Sequence, residues 1–363
     1  MRLALDASAL VTPGTGVASF VSNLMDALAA MPGGPQVEPY TLSATAGLKR
    51  SAIGRWVPLP AGVVHRSWGR WSRPRIDTWL GGPDVIHGTN FVVPPSRLPR
   101  VATVHDLSFV EFPDETPLHV QRFDAILARA AKSGAWIHAP SDYVAEAVRL
   151  RYGSERVVTV YEGGPAVLTA EEVLSLSKPS DRRTILSLGS SAPRKRLTML
   201  VRAFAELAVD RPDIDLAIVG PSGADEAALQ LAIASVPAPV RSRIDRRGWV
   251  SNDERDRLMC SADVMAYPSV YEGFGLPVLE AMAHHLPVVA ARATSIPEVA
   301  GDAAVLVQPD SLEDLVVGLS GVLDNEALAA GLVGKGIDRV AGLSWHETAV
   351  AMTNLYQRAL GGR

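Results

Sequence analysis

Short apolar runs alternate with longer stretches of helical spacing in two successive series, and that alternation leaves few folds open to this chain. In the first series Arg2–Asp6, Val85–His87, Val101–His105, Trp136–Ala139 and Val157–Val160 read as strands. Gly16–Ala30, Leu118–Ala131 and Ser141–Tyr152 lie among them with helix-like patterns. A polar interruption, Thr169–Arg183, holds Ser, Lys and Pro and little core pattern, and reads as a linker. The series then restarts at Thr184–Leu188 and continues through Leu197–Ala208, Leu216–Gly220, Val264–Tyr267, Val288–Ala290 and Val305–Val307. This β-α alternation predicts parallel sheets covered by helices, twice over. A length of 363 residues suits two domains, each with its own core. The boundaries are expected at 1–167 and 168–344. In such sheets ligands bind at the carboxyl ends of strands, so a cleft between the two domains is the expected site.

Composition narrows the setting. Hydrophobic residues at 47% and charged residues at 20% fit a soluble globular chain. Cys260 is the single cysteine, which excludes an internal disulfide and suits a reducing compartment. No apolar run reaches the ~18 residues needed to span a bilayer, and Asp6 interrupts the one segment that resembles a signal-peptide core. A cytoplasmic location is expected. Net charge is −4, unevenly spread. Between Pro39 and Ile76 there is no acid, while Lys49, Arg50, Arg55, Arg66, Arg70, Arg73 and Arg75 give +7, so the remainder carries −11. Trp56, Trp68, Trp71 and Trp79 fall in or just after this region. Basic residues interleaved with Trp suit an anionic membrane surface or a lipid-diphosphate acceptor, with residues 48–80 as a peripheral contact at the inner face of the membrane. The plainer alternative is a solvated loop with Trp rings packed on the core. The acidic remainder argues against nucleic acid.

The stretch Tyr267–Ala290 reads YPSVYEGFGLPVLEAMAHHLPVVA. Val264–Tyr267 ends a strand. Glu272-Gly273-Phe274-Gly275 makes a turn whose glycines let backbone approach a ligand closely. Pro277 suits the first turn of a helix, and that helix would aim its N-terminal N–H groups and positive dipole end back at the turn, an anion site. Glu280 lies one turn in, within reach of a ribose. Glu272 stands at the mouth of the turn. Spacing alone fits an ordinary βα turn with one capping and one surface Glu equally well; the full string does not.

That string resembles the signature of the retaining family 4 glycosyltransferases of GT-B fold, the group 1, mannosyltransferase-like enzymes: a Glu, seven residues, then a second Glu. The resemblance covers most of the chain. LALDASALVTPGTGVASF is similar to the family's first strand and Gly-rich loop, DVIHGTNFVVPP and VATVHDLSF to its acceptor-domain segments, SLGSSAPRKRLTMLVRAF to its first donor-domain strand, loop and helix, and GWVSNDERDRLMCSADVMAYPS and IPEVAGDAAVLVQPD to the segments flanking the glutamates. It implies two Rossmann-like β/α/β domains facing each other across a deep cleft, acceptor-binding first and donor-binding second, with the helical pattern of residues 345–363 packing back on the first. It implies roles as well. Glu272 would hold donor-sugar hydroxyls. Gly273, Phe274, Gly275 and Leu276 would offer backbone contacts, and Glu280 would bind ribose. Lys195, with Arg194, would neutralise the departing diphosphate, whose charge grows in the transition state. Val250 would meet the base. Ser190 and Gly220 complete the donor set, with Gly14 and Gly16 opposite near the phosphates. His105 would face the donor sugar or acceptor at the reaction centre, beside Asp106. The plain alternatives are a solvated basic run for Arg194–Arg196, a backbone-bonded His105, and a turn cap for Asp106.

Some positions depart from the family pattern. Ser190 stands where many members have Arg, with Arg194 as a substitute charge. His285 stands where Gly usually ends the signature helix, which predicts a shifted cap. Glu162-Gly163-Gly164 replaces Asn-Gly after the first domain's last strand. Asp213-Ile-Asp215 has the spacing of a metal-binding Asp pair but precedes an apolar strand, so no metal site is expected. No other metal-ligand spacing, nucleophile elbow or phosphate-loop lysine occurs. PGTGVAS loosely matches a dinucleotide fingerprint, but seven residues separate Asp6 from Gly14, too long for its tight turn. The expected activity is metal-independent, cofactor-free transfer of a hexose, mannose by resemblance, from a nucleoside diphosphate sugar such as GDP-mannose. The acceptor would be a glycan or lipid-linked hydroxyl in polysaccharide or lipid-linked glycan synthesis. The alternatives are a nucleotide-sugar epimerase or phosphorylase of the same fold, or an inactive nucleotide-binding scaffold.

Overall fold

The computed structural model describes residues 1–11, 15–178 and 180–362. They form two compact units, Met1–Gly163 with the segment from Leu343 onward, and Gly164–Gly342. Among the described residues, the sheet of the first unit consists of β1 (Arg2–Asp6), β2 (Gln36–Leu42), β3 (Arg55–Val57), β4 (Val85–Gly88), β5 (Arg100–Thr103), β6 (Trp136–Ala139) and β7 (Val157–Thr159). All pairs are parallel, in the order β3-β2-β1-β4-β5-β6-β7. The second unit's sheet holds β8 (Arg183–Leu188), β9 (Ile214–Val219), β10 (Ile244–Arg247), β11 (Val264–Tyr267), β12 (Val288–Ala291) and β13 (Val305–Val307), again parallel, in the order β10-β9-β8-β11-β12-β13. Each order grows outward from its first strand in both directions. The reversal falls between β1 and β4 in one unit and between β8 and β11 in the other. That is where a crevice opens at the strand ends of such sheets.

Side-chain alternation sorts the first unit's core into two layers. Leu3, Leu5, Val85 and Val101 face one way, against Phe20, Val21 and Leu24 of the helix Gly16–Ala30 and Met352, Leu355 and Tyr356 of the helix Trp345–Gly361. Ala4, Ile86, Ala102 and Ile137 face the other way, against Val64 and Trp68 of the helix Ala61–Arg70 and Ile126 and Leu127 of the helix Phe123–Lys132. Each fully buried Leu or Ile contributes about 2 kcal/mol by area. In the second unit Ile185, Leu216, Ile218 and Val264 pack against the helices Leu197–Asp210 and Leu312–Asp324.

A buried polar chain crosses the first unit's sheet. The Tyr356 hydroxyl lies 2.9 Å from His87 Nδ1, His87 Nε2 lies 2.7 Å from Thr103 Oγ1, Thr103 Oγ1 lies 2.9 Å from His138 Nδ1, and His138 Nε2 lies 2.9 Å from the Val160 carbonyl. A carbonyl only accepts, so His138 Nε2 donates and its Nδ1 accepts from Thr103. Thr103 then accepts from His87 Nε2, and His87 Nδ1 accepts from Tyr356. One direction satisfies every group with both rings neutral. Burial keeps them so: His138 is pushed down to about 4 and His87 well below its ordinary value.

The stretch expected as a linker contains a helix, Ala170–Leu176, in the second unit. Thr169 Oγ1 accepts from Glu172 N–H at 3.2 Å, and the Glu172 carboxylate accepts from Thr169 N–H at 2.7 Å. This reciprocal cap holds a helix that has no core pattern to announce it. Asp213 and Asp215 flank the first residue of β9 and pair with Arg183 at 2.8 Å and Arg182 at 2.6 Å. Among the described residues no single helix is long and apolar enough to cross a membrane.

Candidate active site

The second unit's site begins with two glycines. Gly189 follows β8 with φ 143° and Gly220 follows β9 with φ 144°. A Cβ on Gly220 would sit 2.1 Å from the Gly189 carbonyl oxygen, so only glycine fits there. Beyond Gly189, Ser191 ties the loop together: its hydroxyl donates to Glu226 at 2.6 Å and accepts from Gly223 N–H at 2.7 Å. Arg246 completes this tie at 2.7 Å from Glu226, whose carboxyl is held at about 2 by Arg246, Ser191 and Gln230. The single turn Pro193–Lys195 then delivers the three basic residues to two places. Arg196 turns to Asp310, 2.5 Å away. Arg194 and Lys195 turn toward the end of β11.

There Lys195, only 8% exposed, places its Nζ 2.6 Å from Glu272 Oε1 and 2.8 Å from the Tyr267 hydroxyl. Arg194 Nη1 lies 3.1 Å from the same Glu272 oxygen and donates to the Tyr271 carbonyl at 2.7 Å. Burial pushes the Glu272 carboxyl up, but Lys195 and then Arg194 outweigh it and hold the group down to about 2. The Tyr267 phenol is driven well above its ordinary value by burial and by Glu272, so it stays neutral. Two cations face one carboxylate.

The turn after Glu272 is pinned through its backbone. Glu272 N–H donates to Thr294 Oγ1 at 2.9 Å, and Ser295 Oγ lies 3.0 Å from the Glu272 carbonyl and 2.9 Å from that of Phe274. Gly275, at φ 109°, caps the helix Leu276–Ala283 without a side-chain hydrogen bond to its N-terminus. The first-turn N–H groups of that helix point toward the turn, an arrangement suited to an anion. Glu280, one turn in, receives Arg255 at 3.1 Å. The helix closes without the expected shift of its cap. His285 itself adopts φ 59°. Leu286 N–H bonds to Ala281 O at 2.9 Å and His285 N–H to Met282 O at 3.1 Å, a Schellman closure. His285 Nε2 lies 2.8 Å from the Leu168 carbonyl, which supports a conformation glycine would take unaided.

The structure therefore gathers Lys195, Arg194, Glu272, Gly273, Phe274, Gly275 and Leu276 around the β8/β11 reversal, with Ser190 and Gly220 at adjoining strand ends. Val250 is half-buried in the loop after β10, next to the exposed Trp249. Arg194, expected to supply the charge missing at Ser190, pairs with Glu272. Gly14 lies outside the described residues. In the first unit Gly16 opens its helix behind the Thr15 cap. His105 follows β5, its Nε2 2.9 Å from the Thr89 carbonyl and its Nδ1 3.5 Å from Glu162 Oε1. Asp106 accepts from Ser108 N–H at 2.9 Å and caps the next turn. Sequence reasoning missed Tyr267, Thr294, Ser295 and Glu162. Tyr267 had a signal, a polar aromatic at the end of an apolar strand.

Known proteins share this organisation. Residues 14–163 match the profile described as Glycosyltransferase Family 4, and residues 182–325 that described as Glycosyl transferases group 1. The O-antigen chain mannosyltransferase B of Escherichia coli is 28% identical over 75% of this chain and 74% of its own length. A phosphatidyl-myo-inositol mannosyltransferase of Mycolicibacterium smegmatis is 27% identical over 85% and 81%. Among solved structures, sucrose-phosphate synthase from Thermosynechococcus elongatus has a TM-score of 0.77 at 20% identity, covering 100% of both chains. HepE of Anabaena, solved with UDP and glucose, has 0.68 at 16%, covering 99% and 100%. With one half of the family matched in each unit and the GT-B fold shared along the full length, this chain belongs to the family 4, group 1 glycosyltransferases and is a hexosyltransferase of glycan synthesis.

Proposed function

We propose that the enzyme moves mannose from a nucleoside diphosphate donor, GDP-mannose or a close relative, to a hydroxyl of a glycan or lipid-linked acceptor, with retention at the anomeric carbon. The observation that carries this reading is the cluster of buried Lys195 and Glu272 with half-buried Arg194, beside the N-terminus of Leu276–Ala283, which has no side-chain cap. A site with two cations per carboxylate and a helix N-terminus suits a diphosphate. It stabilises that group most as the sugar departs and negative charge grows on the leaving oxygen. Glu272 orders Lys195 and offers its carboxylate to sugar hydroxyls, while Glu280, steadied by Arg255, takes the ribose. The departing phosphate accepts the acceptor's proton on the same face, so the reaction needs no carboxylate nucleophile and no metal. Two mannosyltransferases among the relatives support the choice of sugar. Within this reading the basic, Trp-bearing region of the first unit meets an anionic membrane that presents the acceptor.

Incubation with a panel of nucleotide sugars, followed by NMR of the product's anomeric linkage, tests the proposal. GDP-mannose is expected to give the fastest turnover and an α-linked product. A β-linked product from the α-linked donor would overturn the mechanism, and turnover restricted to a non-mannose donor would overturn the choice of sugar.

A further inference from the structure

His105 is held at both ring nitrogens, and the partner at the second one decides its charge. Nε2 lies 2.9 Å from the Thr89 carbonyl, which only accepts, so Nε2 carries a proton. Nδ1 lies 3.5 Å from Glu162 Oε1. If the ring were neutral, a bare nitrogen lone pair would face a carboxylate oxygen, two acceptors with nothing between them. Glu162 is only 3% exposed, so water offers little relief. Among the described residues His105 is the one charged partner within 4.0 Å of Glu162, and a buried carboxylate left without a counter-charge is costly.

We propose that His105 is an imidazolium whose Nδ1–H donates to Glu162, making Glu162 a positioning residue for the reaction centre. The proton settles on the ring because imidazole is a stronger base than a carboxylate. The other groups packed around the ring do not compete for it. Phe20 and Phe91 lie nearly perpendicular to it, with ring centroids 5.1 Å and 5.7 Å away. Asp106 is turned to Ser108. Asp6, whose carbonyl accepts from Thr89, is turned to Ser8. His87 and His138 are neutral within their own chain. With both nitrogens occupied, His105 is no general base. It presents a fixed positive edge, and the acceptor's proton must go elsewhere. This inference rests on the transfer reading above, and on the family resemblance for His105's place at the reaction centre, but the proton itself can be read without substrate.

The test is long-range 1H–15N NMR of the full chain labelled at histidine, with His105→Asn used to assign the signal. At pH 7.5 both His105 nitrogens are expected to show protonated shifts. In Glu162→Gln the side-chain amide can donate to Nδ1, so the ring is expected to turn neutral at pH 7.5 with Nε2–H retained. In steady-state assays Glu162→Gln is expected to lower kcat about tenfold with donor KM unchanged, and to flatten the alkaline limb of the wild-type profile. A neutral His105 with bare Nδ1 in the wild-type enzyme would overturn the proposal, as would a ring state or pH profile unmoved by Glu162→Gln. Should the variant not fold, the wild-type spectrum alone decides. A failed donor assay beside an imidazolium spectrum would sink the transfer reading and leave the pair standing.

Discussion

At the scale of single residues, Lys195 and Glu272 depend on each other. The Glu272 carboxyl sits at about 2, below the ordinary carboxylate range, so the pair's contribution to folding is present above roughly pH 4.5 and is lost as pH falls toward 2. At neutral pH the carboxylate is charged whether or not donor is bound. Lys195→Ala and Glu272→Ala are each expected to cost about 3 kcal/mol in kcat/KM, roughly a hundredfold. The double variant should lose much less than the sum, because each single change strands a buried charge that the second removes. Near-normal turnover in both single variants, measured with the preferred donor, would refute the site. Lys195 and Glu272 were legible in the sequence because the turn around each has a recognisable string. Tyr267 showed only as a polar aromatic at a strand end, with nothing to name its partner Lys195 72 residues away, and Glu162 was not legible, because its partner His105 lies across the sheet and no local spacing encodes such a meeting.

At the scale of elements, ten of the strands follow from apolar runs, and the three that do not are β2, β3 and β10. β2 contains Glu38 and Pro39, β3 has three residues, and β10 reads Ile-Asp-Arg-Arg. β3 and β10 are sheet edges, where one side needs no apolar cover and charges deter stray pairing. The polar chain from Tyr356 to Val160 was equally hidden, since each link joins a different element. Its chemistry predicts acid sensitivity. Both histidines have folded values below their unfolded ones, so their contribution is complete above about pH 6.5 and declines as pH falls toward 4. The slope is about 1.4 kcal/mol per pH unit for each ring. Protonating His138 would set its Nδ1–H against the Thr103 hydroxyl. Chemical unfolding at pH 7.5, 6 and 5 should show this loss in the first unit, and equal stability at all three pH values would contradict it.

At the scale of the whole molecule, the charge asymmetry has a structural counterpart. Of the tryptophans in the basic region, Trp68 is buried in the core, as the plainer alternative expects, while Trp71 is 63% exposed. Trp71, Val63, Arg66, Arg70 and Arg122 line a groove of about 630 Å³. Exposed apolar side chains among arginines suit an anionic lipid surface. The enzyme is expected to sediment with phosphatidylglycerol vesicles more than with phosphatidylcholine vesicles, less so in high salt, and Arg66→Glu with Arg70→Glu should abolish the difference. Equal sedimentation with both vesicle types would argue against the contact.

The interrupted make-up of the first unit also sets an order of events on the ribosome. Residues 164–342 are contiguous and can close their core as they emerge. Leu3, Leu5, Phe20 and Val85 cannot, because Met352, Leu355 and Tyr356 form part of their cover. At 5–20 residues per second, roughly ten to forty seconds of synthesis separate Gly163 from that helix. Throughout that interval the nascent chain carries an open apolar face beside an already finished neighbour, which makes the first-made strands the last to be completed and the natural target for a holding chaperone.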